Sequence, residues 1–348
     1  MVVVFLGAGA SAPFKYPVMA ELTTKLRNTI QDEEGRLLYH LSGPSRPHSD
    51  AETVLQDIEA FDTIYTRGLE RTINSVTVYG QKGAIQKEFQ EFHVLCGSLR
   101  ETIRASIFDT YSFDPECASK FPLYDQLFSF LRSQKEICIY TTNYDRIIEE
   151  FCMRGKSYEI RDGFTHNVIR QRYLWNPENS FDTDLPSDKI TIKLFKLHGS
   201  LDWKKGPHGI ERVTPQVRLG PRMPDLLTYP GSKDPPEEEP FRTTYERFEI
   251  QMAKPEPCLV IGFSFRDYYL NRFFRDFINR RNGQLLVMSN NCKETMSKYL
   301  FRSNIDDLNP YFEKNRVVPI PCHFDEGDWA INLSKALRKT GWLPPPNR

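Results

Sequence analysis

Six short apolar runs, at Val2–Leu6, 137–140, 192–197, Cys258–Ile261, Leu285–Met288 and Val317–Ile320, each stop at a glycine or a polar turn. A strand with one wet face alternates apolar and polar residues. Runs this continuously rich in Val, Ile and Leu suit strands covered on both faces, as in a parallel sheet between helices. Several of the intervals have helical period. Val18, Leu22, Leu26 and Ile30 recur every fourth residue behind Pro17, which is well placed to open a helix. Ile147, Ile148 and Phe151 follow the second run, Leu270, Phe273, Phe274 and Phe277 the fourth, and Ala330, Leu333 and Leu337 close the chain. Strand then helix, repeated, predicts an α/β fold: a Rossmann-like, doubly wound parallel sheet of about six strands.

Two intervals break the alternation of this single domain, 1–348. Residues 35–122 hold no strand-like run but have helical stretches at 52–64 and 89–108, which predicts a helical insertion or small lid subdomain. Residues 204–257 carry Pro215, Pro221, Pro224, Pro230 and the acidic tract 234–240, which predicts an irregular, exposed insertion. No internal repeat is present.

Lys+Arg and Asp+Glu balance at 46 each, so the chain lacks the basic field of a dedicated nucleic-acid binder, and no direct nucleic-acid binding is expected. The apolar start, Met1 to Leu6, is too short for a signal peptide and lacks a basic flank. No later apolar run approaches the ~20 residues of a membrane span. A cytoplasmic protein without membrane contact is expected. The seven cysteines are odd in number and never spaced C-x-x-C, which argues against a disulfide framework and against a zinc or other metal site. Cys138 and Cys258, inside apolar runs, are expected to be buried thiols.

The first run passes into Gly7-Ala-Gly-Ala-Ser-Ala12, which fits G-x-G-x-x-G/A with Gly7, Gly9 and Ala12 in the small positions. Glycines there let the backbone approach a diphosphate, and turn amides with the next helix N-terminus supply donors. The same turn also serves where a helix has to pack tightly. A second strand ending in an acidic residue about 20 residues later, the ribose anchor of dehydrogenases, is missing. The second run ends in Thr141-Thr-Asn-Tyr-Asp145. Asn143 can hold a water or a ribose hydroxyl and Asp145 can accept from an amide, or both can cap a helix. The third ends in Lys196-Leu-His-Gly-Ser200, where His198 is either a structural histidine or a general base, imidazole ordinarily titrating near about pH 6.5. Gly262-Phe-Ser-Phe-Arg-Asp267 follows the fourth and Ser289-Asn290 the fifth, both tips suited to a ribose or diphosphate.

Taken in order, the GAGAS, TTNYD, LHGS and GFSFRD motifs resemble the sirtuin superfamily, and the resemblance spans nearly the whole chain. It implies that NAD is the substrate. By it, Gly7, Ala8, Gly9 and Ser11 correspond to the diphosphate turn, and Thr142, Asn143 and Asp145 to the surroundings of the nicotinamide and its ribose. His198 corresponds to the catalytic base, and Gly262, Phe263, Ser264 and Asn290 to loops around the diphosphate and adenosine ribose. Arg266 and Asp267 match less securely and are assigned only to bracing the loop.

The departures are informative too. Deacylating sirtuins carry two C-x-x-C pairs between the His-Gly and Gly-x-Ser motifs, whereas 201–257 contains no cysteine, and Tyr16 to Met19 replaces their acidic-aromatic-arginine stretch. The pattern is closer to the prokaryotic antiphage-defence branch, whose members hydrolyse NAD to nicotinamide and ADP-ribose and deplete it in an infected cell, without zinc. Some members assemble with a separately encoded hexameric DNA-translocating ATPase. With no fused sensor expected, activation is expected from such a partner, a ligand or homo-oligomerisation. Rival readings of the same site are an NAD-dependent protein deacylase or ADP-ribosyltransferase, and a non-catalytic NAD or ADP-ribose sensor subunit.

Overall fold

A computed structural model describes residues 2–43, 49–66, 82–131, 134–183, 188–213, 226–228, 237–254, 256–280 and 283–342. The chain divides into two compact units, Met1–Tyr16 with Tyr111–Arg348, and Pro17–Thr110.

The first unit is built on a seven-stranded sheet. With all strands numbered in chain order, its members are β1 (Val2–Leu6), β2 (Glu136–Thr141), β3 (Tyr158–Arg161), β6 (Ile190–Lys196), β9 (Cys258–Ile261), β10 (Leu285–Met288) and β11 (Val317–Ile320). Their order is β11-β10-β9-β1-β2-β6-β3, and every pairing is parallel. All six apolar runs are strands of this sheet. The seventh, β3, reads Tyr-Glu-Ile-Arg at the sheet edge, where half-burial removes the need for a continuous apolar run. From β1 the chain builds outward through β2 on one side and returns through β9 on the other. The boundary between β1 and β9 is therefore a topological switch point, beside which open α/β sheets bind ligands at the carboxyl ends of their strands.

The second unit is helical: α1 (Met19–Thr29), α2 (Asp32–Ser42), α3 (Ala51–Ile64) and the first 29 residues of α4 (Lys82–Tyr111). It starts earlier and ends earlier than the insertion read from sequence at 35–122. Leu22 and Leu26 of α1 are buried, and Thr23 Oγ1 accepts the amide of Ala51 at 2.8 Å, so α1 is bound to α3 within the unit.

Helices α5 (Pro122–Ser129), α6 (Ile147–Arg154), α7 (Pro177–Phe181), α8 (Phe241–Met252), α9 (Tyr268–Arg280) and α10 (Trp329–Lys339) belong to the sheet unit. Phe5 of β1 packs against Phe248 of α8 and Phe274 of α9, with ring centroids 5.6 and 5.1 Å away. A small antiparallel sheet in the order β4-β5-β8-β7 joins β4 (Phe164–Asn167), β5 (Arg172–Trp175), β7 (Trp203–Gly206) and β8 (Gly209–Arg212). Phe164, Trp175 and Trp203 form its apolar centre, with centroid separations of 5.2 to 5.9 Å.

The interval 204–257 is thus more ordered than its prolines suggest. Gly206 and Gly209 close a hairpin, and Phe241, Tyr245, Phe248 and Met252 line the buried stripe of α8. Residues 214–225 and 229–236, with Pro215, Pro221, Pro224, Pro230 and the start of the acidic tract, lie outside the described residues. Among the described residues, no helix is long and apolar enough to cross a membrane, and all seven cysteines are buried free thiols.

Candidate functional site

The sheet register sets the site. Leu6 pairs with both Thr141 and Ile261, and Thr141 pairs with Lys196, so β9, β1, β2 and β6 end side by side. The four motif loops leave from those four adjacent ends.

Where β1 and β9 end, two glycine turns meet backbone to backbone. Gly7 N donates to Ile261 O and Gly9 N to Gly262 O, both at 2.9 Å. A Cβ on Gly7 would lie 2.5 Å from Phe263 Cα, and one on Gly9 would lie 2.8 Å from Gly262 Cα. Gly262 has φ +64°, and a Cβ there would lie 2.4 Å from Ala10 N. Contacts this close admit only glycine. The space left by the missing side chains is therefore filled by the opposite loop. Nor does a long helix follow the turn directly: two 3₁₀ turns, Ala8–Ala10 and Ala12–Phe14, intervene, and α1 starts only at Met19. Ala10 N and Ser11 N are bonded within the turn, while Ala8 is exposed and its amide has no acceptor among the described residues.

The β2 loop is bonded onto this turn. Thr141 Oγ1 donates to Leu6 O at 2.9 Å and accepts Asn143 N at 3.0 Å, and Thr142 N donates to Leu6 O at 3.2 Å. Asn143 Nδ2 donates to Gly7 O at 3.0 Å and to Ser11 Oγ at 2.9 Å. Ser11 in turn donates its one proton to Asp145 Oδ2 at 2.7 Å. Gly7 O can only accept and the Ser11 proton is committed, so the orientation of the Asn143 amide is determined, and Oδ1 is left without a partner among the described residues.

Asp145 is only 7% exposed and its other oxygen accepts Ile147 N at the start of α6, at 3.1 Å. Both of its oxygens serve the protein, so it holds Ser11 and caps α6. Burial raises its carboxyl above the ordinary range, opposed by Lys196 and by the bonds from Ser11 and Ile147.

The β6 loop carries Lys196 and His198. The Lys196 side chain, 2% exposed, donates to Glu149 Oε1 and Ser200 Oγ, both at 2.9 Å, to Tyr144 O at 3.2 Å and to Asp145 O. It binds the TTNYD and LHGS loops together, a role hidden in sequence because a lysine is ordinarily a surface residue. His198, 4% exposed, places Nε2 3.0 Å from Asp267 Oδ2, and Nδ1 has no partner among the described residues. Asp267 is equally buried and caps α9 through Leu270 N at 2.9 Å. Since Asp267 follows β9, its loop reaches His198 across the ends of β1 and β2.

The remaining predicted residues divide by exposure. Phe263 is buried against Phe5, ring centroids 4.8 Å apart, and serves packing. Ser264 and Arg266 are exposed on the same loop. Asn290 is exposed and donates to Glu326 Oε1 at 3.3 Å.

Fold and site together define an α/β protein of Rossmann type with a histidine and an asparagine at the carboxyl ends of adjacent parallel strands. Within this chain, residues 137–308 match the family model of the SIR2-like domain. Two solved structures are similar at 11% identity. A histidine-to-asparagine mutant of a Sir2 homologue in complex with ADP-ribose covers 99% of this chain and 94% of its own, with a TM-score of 0.41. A serine-to-alanine mutant of a Sir2 homologue, also with ADP-ribose, covers 97% and 93%, with a TM-score of 0.40. No curated protein matches the sequence.

Proposed function

We propose that this chain is an NAD glycohydrolase that cleaves the nicotinamide–ribose bond with water to give nicotinamide and ADP-ribose, and that it acts by depleting NAD in antiphage defence. The observation that carries the reading is a pair of acceptors without partners among the described residues, Asn143 Oδ1 and His198 Nδ1, on loops leaving adjacent strands. A water that attacks carbon through its lone pair has to donate its protons, and two fixed acceptors are what it needs. The match of residues 137–308 to the SIR2-like domain supports NAD as the substrate.

In this mechanism the C1′–N bond breaks with its electron pair leaving on the nicotinamide nitrogen, and positive charge develops on the ribose. Asn143 orients the water, His198 takes its proton as the new C1′–O bond forms, and solvent later removes it. Asp145, with both oxygens engaged, acts through Ser11 and Asn143, and its charge favours the developing cation. We assign the diphosphate to the Ala8 amide, the Ser264 hydroxyl and the Arg266 guanidinium, and the riboses to Thr142 and Asn290. Gly7, Gly9 and Gly262 contribute by shape, and Ser11 through Asn143. We assign control to assembly, by homo-oligomerisation or by a separately encoded hexameric DNA-translocating ATPase.

The test is nicotinamide and ADP-ribose release from NAD by wild type, His198→Ala and Asn143→Ala, at several protein concentrations and with such an ATPase added. Each substitution is expected to lower the rate roughly 100- to 10,000-fold. Full activity in either variant refutes that residue's role. NAD binding without product under every condition refutes hydrolysis in favour of a sensor, and modification of a protein target at a rate matching nicotinamide release favours a transferase.

A further inference from the structure

We infer that Asp267 is a positioning residue that fixes the His198 imidazole with its proton on Nε2 and its lone pair on Nδ1. Its role in catalysis rests on the NAD-cleavage reading above, whereas the tautomer itself does not. The contact is 3.0 Å long, both side chains are 5% exposed, and the pair joins loops that leave strands three positions apart in the sheet. A carboxylate only accepts, so the imidazole nitrogen facing it has to carry the proton. The other nitrogen then keeps its lone pair and is the one able to act as a base.

The described neighbours do not compete for that proton. Tyr144 lies with its ring centroid 6.5 Å from that of His198, and its hydroxyl is spent on Thr228 O at 3.0 Å. Tyr245 of α8 lies close enough to Asp267 for the carboxylate to disfavour tyrosinate, after burial the larger cause of its raised pKa. Lys196 is occupied by Glu149, Ser200 and the backbone of the β2 loop. The second oxygen of Asp267 accepts Leu270 N, which prevents the carboxylate from rotating away. The contact also satisfies a buried imidazole N–H and a buried carboxylate, each costly if left unpaired.

The test is Asp267→Asn. Asparagine can still accept Leu270 N through its oxygen, so α9 keeps its cap, but its NH2 then faces Nε2 and demands a lone pair there. The ¹⁵N resonances of His198, identified by their absence in His198→Ala, are read at alkaline pH. The expected result is the Nε2–H form in wild type and the Nδ1–H form in Asp267→Asn, with kcat for nicotinamide release down ~100- to 10,000-fold and KM changed by less than about threefold. Asp267→Glu, which restores a carboxylate, should recover the Nε2–H form and part of kcat. An unchanged tautomer in Asp267→Asn overturns the assignment, as does nicotinamide release within about threefold of an active wild type. If wild type releases no nicotinamide at any protein concentration or with the ATPase added, the NAD-cleavage reading fails, and the resonances still decide which nitrogen faces Asp267 with a proton.

Discussion

Gly262→Ala tests the closest contact of the fold. Two costs add. Alanine at φ +64° sits in the left-handed region, about 1–2 kcal/mol less favourable than glycine. Its Cβ would also lie 2.4 Å from Ala10 N and Gly9 C, where non-bonded atoms settle at ~3.5–4.0 Å, so the two loops would have to part by roughly 1 Å. That movement stretches the 2.9 Å bonds Gly9 N to Gly262 O and Gly7 N to Ile261 O beyond useful length, at about 0.5–1.5 kcal/mol each. The sum is roughly 2–5 kcal/mol, or ~4–20 °C in Tm at ~2–4 °C per kcal/mol. Two controls separate the causes. Gly209 has φ +112° but nothing within 4 Å of its Cβ position, so Gly209→Ala carries only the backbone cost, and Gly327, open and without positive φ, carries neither. All four tryptophans, Trp175, Trp203, Trp329 and Trp342, lie in the sheet unit, so intrinsic fluorescence during urea or thermal unfolding reports on the unit that contains all three sites. The expected order of stability is Gly327→Ala, then Gly209→Ala, then Gly262→Ala. Gly262→Ala unfolding within about 1 kcal/mol of wild type would refute the loop-on-loop argument.

Two further predictions concern the buried charges beneath the loops. Lys196→Met removes the cation from Glu149 and the bonds to the β2 loop, and should cost about 3–5 kcal/mol in urea unfolding because the carboxylate is left buried and unpaired; a loss below ~1 kcal/mol would contradict it. Asp145 has a raised folded-state pKa, so the folded protein binds its proton more tightly than the unfolded chain does. The stability it contributes is present below the unfolded value, about 3.9, and is lost as pH rises through the raised folded value. Stability followed from acid towards neutral pH should therefore fall less steeply in Asp145→Asn than in wild type, whatever its absolute offset, and identical slopes would refute the direction.

The large sheet was legible in sequence because burial on both faces demands unbroken apolar runs, and the site loops were legible because each follows such a run. The strands β3, β4, β5, β7 and β8 were not: Phe-Thr-His-Asn and Arg-Tyr-Leu-Trp are half-exposed, and they lack the unbroken apolar run that makes the equally short β9, β10 and β11 legible. Gly7 and Gly9 announced a tight turn, but only the fold shows that their absent side chains make room for Gly262 and Phe263. His198 and Asp267 lie 69 residues apart and leave non-adjacent strands, so no local pattern could join them. The sequence assigns Asp267 only to bracing its loop; in the fold one of its oxygens caps α9 and the other meets His198.

These contacts close on themselves. Gly9 N to Gly262 O joins the β9 and β1 loops, Asn143 Nδ2 to Gly7 O joins β1 to β2, Lys196 Nζ to Tyr144 O joins β2 to β6, and His198 to Asp267 returns from β6 to the β9 loop. A ring of links resists displacement better than a chain of them, because moving any one loop strains two neighbours. Preorganised groups contribute most when they need not rearrange as charge develops, and rigid support is what keeps them in place. On this reasoning the glycine contact and the buried lysine belong to the site as much as Asn143 and His198 do, since they hold in place the loops that carry both side chains.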